Sequence, residues 1–182
     1  IARRIVVKAS PLFDTDEAFA LFGGEVSVEA VSLHGECKEL LIDLPGTDRP
    51  EAPGLLRATA IGRGTRTFHP EQLRDGKPDA GFDPPYGFLF VPDVSLYKIR
   101  AARCYLQSAG AFAASETGYG FARHLPDDFL GHAYPIEEIV PYRPKALKTL
   151  FRTRGIERLN LLKRDFPLDA EQIARATGIR QG

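Results

Sequence analysis

The chain has 182 residues, 43% of them apolar and 26% charged, with 24 basic and 24 acidic side chains. That balance excludes a disordered chain and a uniformly basic nucleic-acid coat. It leaves room for one sizeable core, or for a small domain plus part of another. The charge is unevenly spread, because residues 1–60 hold ten acids and six bases while residues 141–164 hold eight bases and one acid. Zero net charge therefore conceals a basic C-terminal stretch. Two cysteines, Cys37 and Cys104, without zinc-type pairing fit a reducing, cytoplasmic setting. No apolar run reaches the roughly 18–20 residues of a membrane span. The chain begins at Ile1, contains no Met and stops at Gly182 just after a capped helix, so a piece of a longer protein is expected.

Ile5 to Ala9 is β-rich and runs into Ser10-Pro11; the opening residues read as a strand rather than a signal peptide. Asp14 or Thr15 caps a short helix to Leu21 that Gly23-Gly24 stops. Val26–Leu33 and Cys37–Leu44 flank His34-Gly35 and predict an antiparallel hairpin. Pro45 to Pro53, rich in Pro, Gly and acids, reads as a linker. Leu55–Ile61 and Thr65–Phe68 are strands around Gly62-Arg63-Gly64, and Pro70 to Pro85 reads as a loop. Gly87–Val91 is a short apolar run. Pro92-Asp93 then opens a helix on which Val94, Tyr97, Ala101 and Cys104 recur at helical spacing, closed by Gly110. Residues 111–135 read as irregular, and Ala133–Val140 as a strand. Pro144 begins a helix with Leu147, Leu150 and Phe151 inward and Gly155 as its stop. Ile156–Lys163 predicts a strand, and Asp169 with Gln172 a capping box for a last helix that Gly178 ends.

Five groupings could carry chemistry. Asp83-Pro84-Pro85-Tyr86 has the form that amino-group methyltransferases use to hold a target amine and stack its base. Here no strand precedes it, and a Pro-rich loop is the expected reading. Gly62-Arg63-Gly64 and Gly118-Tyr119-Gly120 are the nearest matches to a cofactor loop, but neither lies between a strand and a helix, so ordinary turns are expected. His34 and Cys37 form one pair, while His69, His124 and His132 are scattered; no metal site is expected. The spacing of Lys145, Lys148 and Arg152 puts them along one helix, beside the apolar face, and Arg143, Arg154, Arg158, Lys163 and Arg164 extend the basic stretch. Such side chains bind phosphate by charge and, for Arg, by a bidentate fork; a solvated helix face is the plainer alternative. Lastly, Lys8, Ser10 and Asp14 would rim the crevice beyond the carboxyl end of the first strand, or simply make a strand-to-helix turn with a cap.

Val6-Val7-Lys8-Ala9-Ser10-Pro11, Glu36-Cys37-Lys38-Glu39-Leu40, Tyr86-Gly87-Phe88-Leu89-Phe90-Val91-Pro92-Asp93 and Leu159-Asn160-Leu161-Leu162-Lys163-Arg164 occur in that order. Together they resemble bacterial class I S-adenosylmethionine-dependent methyltransferases with a C-terminal THUMP-like domain. The resemblance implies an α/β to α+β chain. Residues 1–44 would be the last strands and helix of a Rossmann-like methyltransferase sheet, 45–54 a linker and 55–182 a THUMP-like α+β domain. It implies S-adenosylmethionine as cofactor of the full-length protein, with no cofactor bound by this piece alone. It also implies an RNA partner, tRNA or rRNA. The methyl-donor loop and catalytic Asp-Pro strand end of that family lie upstream of Ile1, and Val91 stands where members usually carry Glu. The expected function is thus the substrate-binding C-terminal portion of an RNA methyltransferase. The alternatives are a non-catalytic RNA-binding or interaction module, and an enzyme built on Asp83-Pro84-Pro85-Tyr86.

Overall fold

One-sided burial explains the main sheet. In β2 (Ser27–Leu33) and β3 (Glu36–Leu44) the side chains of Val28, Ala30, Leu40 and Ile42 are buried, while Glu29 and Glu39 on the opposite face are not. Period-2 alternation of this kind fixes register, since a one-residue slip would put every apolar side chain in water. The computed structural model of the chain describes residues 4–23, 25–44, 54–74, 77–115 and 117–182. They fall into two compact units, one up to Ile136 and one over Glu137–Gly182.

In the first unit β1 (Ile5–Ala9), β2, β3, β4 (Leu56–Ala60) and β5 (Gly64–Phe68) make a sheet of order β1-β3-β2-β4-β5. β3 is antiparallel to both β1 and β2, and β2 is parallel to β4. So β1, β2 and β4 point the same way and end at one edge. The β2–β3 hairpin turns at His34 (φ 53°) and Gly35 (φ 80°), the two-residue geometry that matches strand twist. Helix α1 (Thr15–Phe22) is capped by Asp14, whose carboxylate accepts from Asp16 N at 2.8 Å. A short helix, α2 (Pro70–Arg74), occupies part of the segment expected to be loop.

The helix expected from Asp93 to Gly110 is two helices, α3 (Val94–Lys98) and α4 (Ala102–Ser108). Arg100 sits between them at φ 59°, and Ala101 N closes the turn on Leu96 O at 2.8 Å. The break lets Ile99, Ala101 and Ala102 all be buried against the sheet while Arg100 turns outward to Asp14 and Asp16. Burying an Ile is worth about 1.5–3 kcal/mol, enough to offset a left-handed residue at about 1–2. The sheet's inner face and α3 enclose one core, with Leu96, Ile99 and Tyr105 against Val28, Leu40, Leu56 and Phe68.

The stretch expected to be irregular makes a second sheet. β6 (Phe88–Pro92), β7 (Phe112–Ala113), β8 (Gly120–Ala122) and β9 (Gly131–Pro135) pair in the order β7-β8-β6-β9, and Phe90, Leu106, Ala111, Ala113 and Ala122 form a second core cluster. β9 stops at Pro135 rather than Val140. Its last rung is Ile136 N to Gly87 O at 2.8 Å, and β6 offers nothing beyond that to pair with.

The second unit holds α5 (Pro144–Thr153), β10 (Arg158–Leu159), α6 (Ala170–Thr177) and β11 (Arg180–Gln181), with β10 and β11 parallel. The strand expected over 156–163 is only the two residues that β11 can match. The capping box is present: Asp169 Oδ1 accepts from Gln172 N at 2.7 Å and Gln172 Oε1 from Asp169 N at 2.9 Å. Gly178 ends α6 in the left-handed region at φ 73°.

The expected linker lies outside the described residues except for Gly54. Strands on either side of it, β2 and β4, pair over five rungs, and the division falls after Ile136. Among the described residues no helix is long and apolar enough to cross a membrane.

Gly131 tests the second sheet. It has φ 152°, and a Cβ there would overlap the Val91 carbonyl oxygen and lie 2.9 Å from Pro92 Cα. Both neighbours are backbone of a paired strand and cannot yield. Gly131→Ala is expected to lower stability by about 1–3 kcal/mol, measured as a lower urea midpoint at unchanged slope. An unshifted midpoint would mean that β6 and β9 are not so closely apposed.

Candidate nucleic-acid interface

The second unit carries ten basic and six acidic side chains, so it is the positive part of a neutral chain. Pro144 at the first turn of α5 has its φ already set for a helix, and Leu147, Leu150 and Phe151 are half-buried on one side. Lys145, Lys148 and Arg152 are exposed and recur at i, i+3 and i+7, so the helix period brings them together. Arg143, exposed at the N-cap, extends the row. Among the described residues no carboxylate pairs with any of these four. The stem of Lys148 lies along Gly178, where a Cβ would come within 3.3 Å of its Cε, so the cap glycine leaves room for it.

The other expected cations differ. Arg154 is ion-paired with Glu138. Lys163 Nζ donates to Phe166 O at 3.0 Å and Leu168 O at 2.9 Å, holding the turn before α6. Arg164 is exposed beside it. The charge expected from sequence thus separates into a row of available cations on α5 and cations already used for structure.

The expected crevice rim is likewise occupied by local structure. Lys8 Nζ is 2.9 Å from Glu39 Oε2. Ser10 Oγ accepts from Leu12 N at 3.2 Å, and Ser10 O from Phe13 N at 3.0 Å. Asp14 caps α1 and pairs with Arg100 at 3.1 Å. All three lie at or near the carboxyl end of β1, and each side chain has a partner.

Asp83 is exposed in a loop with its carboxylate 3.7 Å from Arg123, while Phe82 and Tyr86 close on Phe112 and Phe121 with ring centroids 5.1–6.2 Å apart. It does not end a buried strand, so it lacks the setting an amine-binding Asp-Pro-Pro-Tyr requires. Gly62-Arg63-Gly64 is the β4–β5 hairpin turn, and Gly118-Tyr119-Gly120 leads into β8. Neither precedes a helix, so neither fits the ribose and carboxylate of S-adenosylmethionine. No group of three His, Cys, Asp or Glu among the described residues could hold a metal ion. Cys37 and Cys104 are free thiols, and burial pushes both up from the ordinary thiol range, which favours the unreactive protonated form.

One concavity was not anticipated. Ser32, His34, Arg63, Asp93 and His132 line a cavity of about 320 Å³ at the edge where β2 and β4 end. The residues come from four strand ends; the parallel pairing of β2 with β4 brings together Ser32, His34 and Arg63, and that of β6 with β9 brings Asp93 beside His132. Nothing in the sequence announces either pairing.

Residues 131–182 match the THUMP domain-like family. Among solved structures, the chain is similar in fold to the crystal structure described as that of a "putative methyltransferase from Porphyromonas gingivalis W83", with TM-score 0.83 at 21% identity. The match covers 98% of this chain and 45% of that one, so the chain spans less than half the length of that protein. No curated protein matches it. The THUMP domain-like segment begins with β9 and takes in the whole second unit, so the cation row of α5 lies inside it.

Proposed function

We propose that this chain is the C-terminal portion of an S-adenosylmethionine-dependent RNA methyltransferase, and that α5 holds the RNA by its phosphates. The observation that carries this is the row Arg143, Lys145, Lys148 and Arg152, exposed, without acidic partners among the described residues, and inside the THUMP domain-like segment. The fold likeness to a longer protein described as a methyltransferase supports the catalytic half of the reading. So does β1, whose outer edge has no partner strand among the described residues and whose Ile5 and Val6 are about half exposed. Edges of this kind invite another strand.

The described residues do not fit the methyl donor, and no chemical step is assigned to them. Their part is binding. Cations on one helix face neutralise phosphates and fix the register of the RNA without reading its bases. Arg143 and Arg152 can grip a phosphate with two parallel N–H bonds; Lys145 and Lys148 act as point charges. Lys8, Ser10 and Asp14 shape the wall beyond β1, and their existing partners make them positioning residues. The natural RNA is a tRNA or an rRNA segment. A non-catalytic RNA-binding module is the second reading, favoured by the misfit of both Gly-x-Gly turns to the donor. S-adenosylmethionine binding and methyl transfer by the full-length protein separate the two.

The binding claim has a direct measurement. The triple variant Lys145→Ala, Lys148→Ala, Arg152→Ala should weaken tRNA binding at least tenfold near 0.1 M salt. It should also reduce the slope of log affinity against log salt by about 2–3. Its unfolding midpoint should not move, because all three side chains are exposed. An unchanged slope with both tRNA and rRNA would show that this face is only solvated. Lys163→Ala should behave oppositely. It loses two bonds to carbonyls and should cost about 1 kcal/mol of stability, while changing the salt slope by less than one unit.

A further inference from the structure

We propose that the cavity at the common carboxyl edge of β2 and β4 is a subsite for one ribonucleotide unit. In it a ribose hydroxyl donates to Asp93, and a phosphate lies against Arg63 with His34 and His132. This deepens the RNA reading above and rests on it: the unit would be a nucleotide flanking the one presented at the end of β1.

The case begins with Asp93. Its residue is only 8% exposed, yet it lines the cavity. Its Oδ1 accepts three bonds, from Ser32 Oγ at 2.5 Å, Ser95 N at 2.9 Å and Ser95 Oγ at 2.7 Å. Among the described residues nothing bonds to Oδ2. The carboxylate is therefore clamped by one oxygen, with the other left over, and an ionised carboxylate can only accept. That oxygen opens on the cavity rather than being sealed from solvent, so a ligand with a hydroxyl or N–H donor can take it in place of water.

The remaining polar groups call for the opposite charge. Arg63 spends only Nη1, on Gly131 O at 2.7 Å, and its other donors are unused among the described residues. His34 and His132 are exposed and their imidazoles make no hydrogen bond among the described residues; His132 stacks on Tyr134 with centroids 6.3 Å apart. A metal ion fits poorly, because the guanidinium repels it and no three ligands converge. A fully ionised oxyanion such as sulfate fits poorly too, since it would face Asp93 without a proton to give. A ribonucleoside phosphate supplies both halves, a hydroxyl for the carboxylate and an anion for the cation. Asp is also the side chain that commonly holds ribose hydroxyls in nucleotide-binding sheets. The rest of the lining, Gly35, Ala60 and Ile61, offers no side chain that could read a base.

Size and place agree. A volume of about 320 Å³ is at the small end of ligand pockets, room for one such unit. β1 and β2 are separated only by β3, so at about 4.8 Å per strand the subsite lies roughly 10 Å along the same edge from the end of β1. Open α/β sheets take ligands at that edge.

The test is a titration of this 182-residue chain, followed by amide and imidazole NMR shifts. The probes are ribose 5-phosphate, the four ribonucleoside monophosphates and sulfate. Ribose 5-phosphate should shift His34, Arg63, Asp93 and His132, the four monophosphates should bind within about threefold of one another, and sulfate should bind at least tenfold more weakly. Arg63→Ala should weaken ribose 5-phosphate at least tenfold. Asp93→Asn, which keeps a good helix cap, should do the same and abolish the preference over sulfate. His132→Ala, on an exposed side chain, should weaken it severalfold and guards against a folding loss in the other two. Equal binding of sulfate and ribose 5-phosphate, or shifts elsewhere with these residues silent, overturns the subsite. If the α5 triple variant abolishes tRNA binding and ribose 5-phosphate still does not bind here, the subsite fails while the RNA reading stands. If ribose 5-phosphate binds here and tRNA does not bind the chain, the flanking-nucleotide role is overturned together with the RNA reading.

Discussion

A carboxylate that is nine-tenths buried must be bonded almost completely or it costs several kcal/mol, and Asp93 meets that demand through three donors on one oxygen. Those donors define the first unit. Ser32 belongs to the end of β2, Ser95 to the first turn of α3, and Asp93 itself follows β6, so one side chain ties the main sheet, its covering helix and the second sheet. Its own N–H donates to Leu130 O at 3.1 Å, and Leu130 N donates to the Tyr105 hydroxyl at 2.6 Å. The chain of bonds thus runs from β2 through α3 and the β9 entry to α4. The positions of Leu96, Ile99 and Tyr105 over the sheet follow from where this knot places α3.

Around that knot the large terms are apolar. Each buried Leu or Ile contributes about 1.5–3 kcal/mol, whereas exposed ion pairs such as Arg4–Asp43 or Lys38–Glu36 are worth about 0–1. That ranking accounts for the interruption between α3 and α4: the chain gives up helical continuity at Arg100 to bury Ile99, Ala101 and Ala102. The second unit is built differently. α5 has no fully buried residue, α6 only Thr177, and order there comes from caps, the Lys163 bridge to two carbonyls and the Tyr142–Phe166 edge contact at 4.9 Å. A small unit held by polar closures and carrying a positive face is suited to a polyanion rather than to an apolar partner.

Local physics was legible in the sequence where it is local in the structure. The α1 cap at Asp14, the His34-Gly35 hairpin, the β4–β5 turn at Gly62 and the capping box at Asp169 all depend on neighbours within a few residues, and all were readable. So was the cation spacing on α5, which needs only the helical period. Non-local pairing was not. Residues 111–135 looked irregular because β7 has two residues and β8 three, too short for alternation to register. The pairing of β2 with β4 was not readable either, because composition over 45–54 says nothing of whether the strands on either side of it pair. The cavity residues were missed for the same reason. His34 and His132 stand 98 positions apart, and Arg63 and Asp93 read as a turn residue and a helix cap. That the Lys163 ammonium reaches two carbonyls was likewise not legible, since charge alone does not say where a side chain folds back.

The parallel pairing of β2 with β4 has a topological consequence. Because β4 lies beside β2 and not beside β3, the strands before and after residues 45–53 are joined by five backbone rungs and a shared core. A chain severed there would not come apart as two modules. The halves would stay associated through a continuous sheet, each completing the other's interior. The site makes a natural place to divide the protein into two complementing polypeptides, with reassembly reporting on the integrity of the fold.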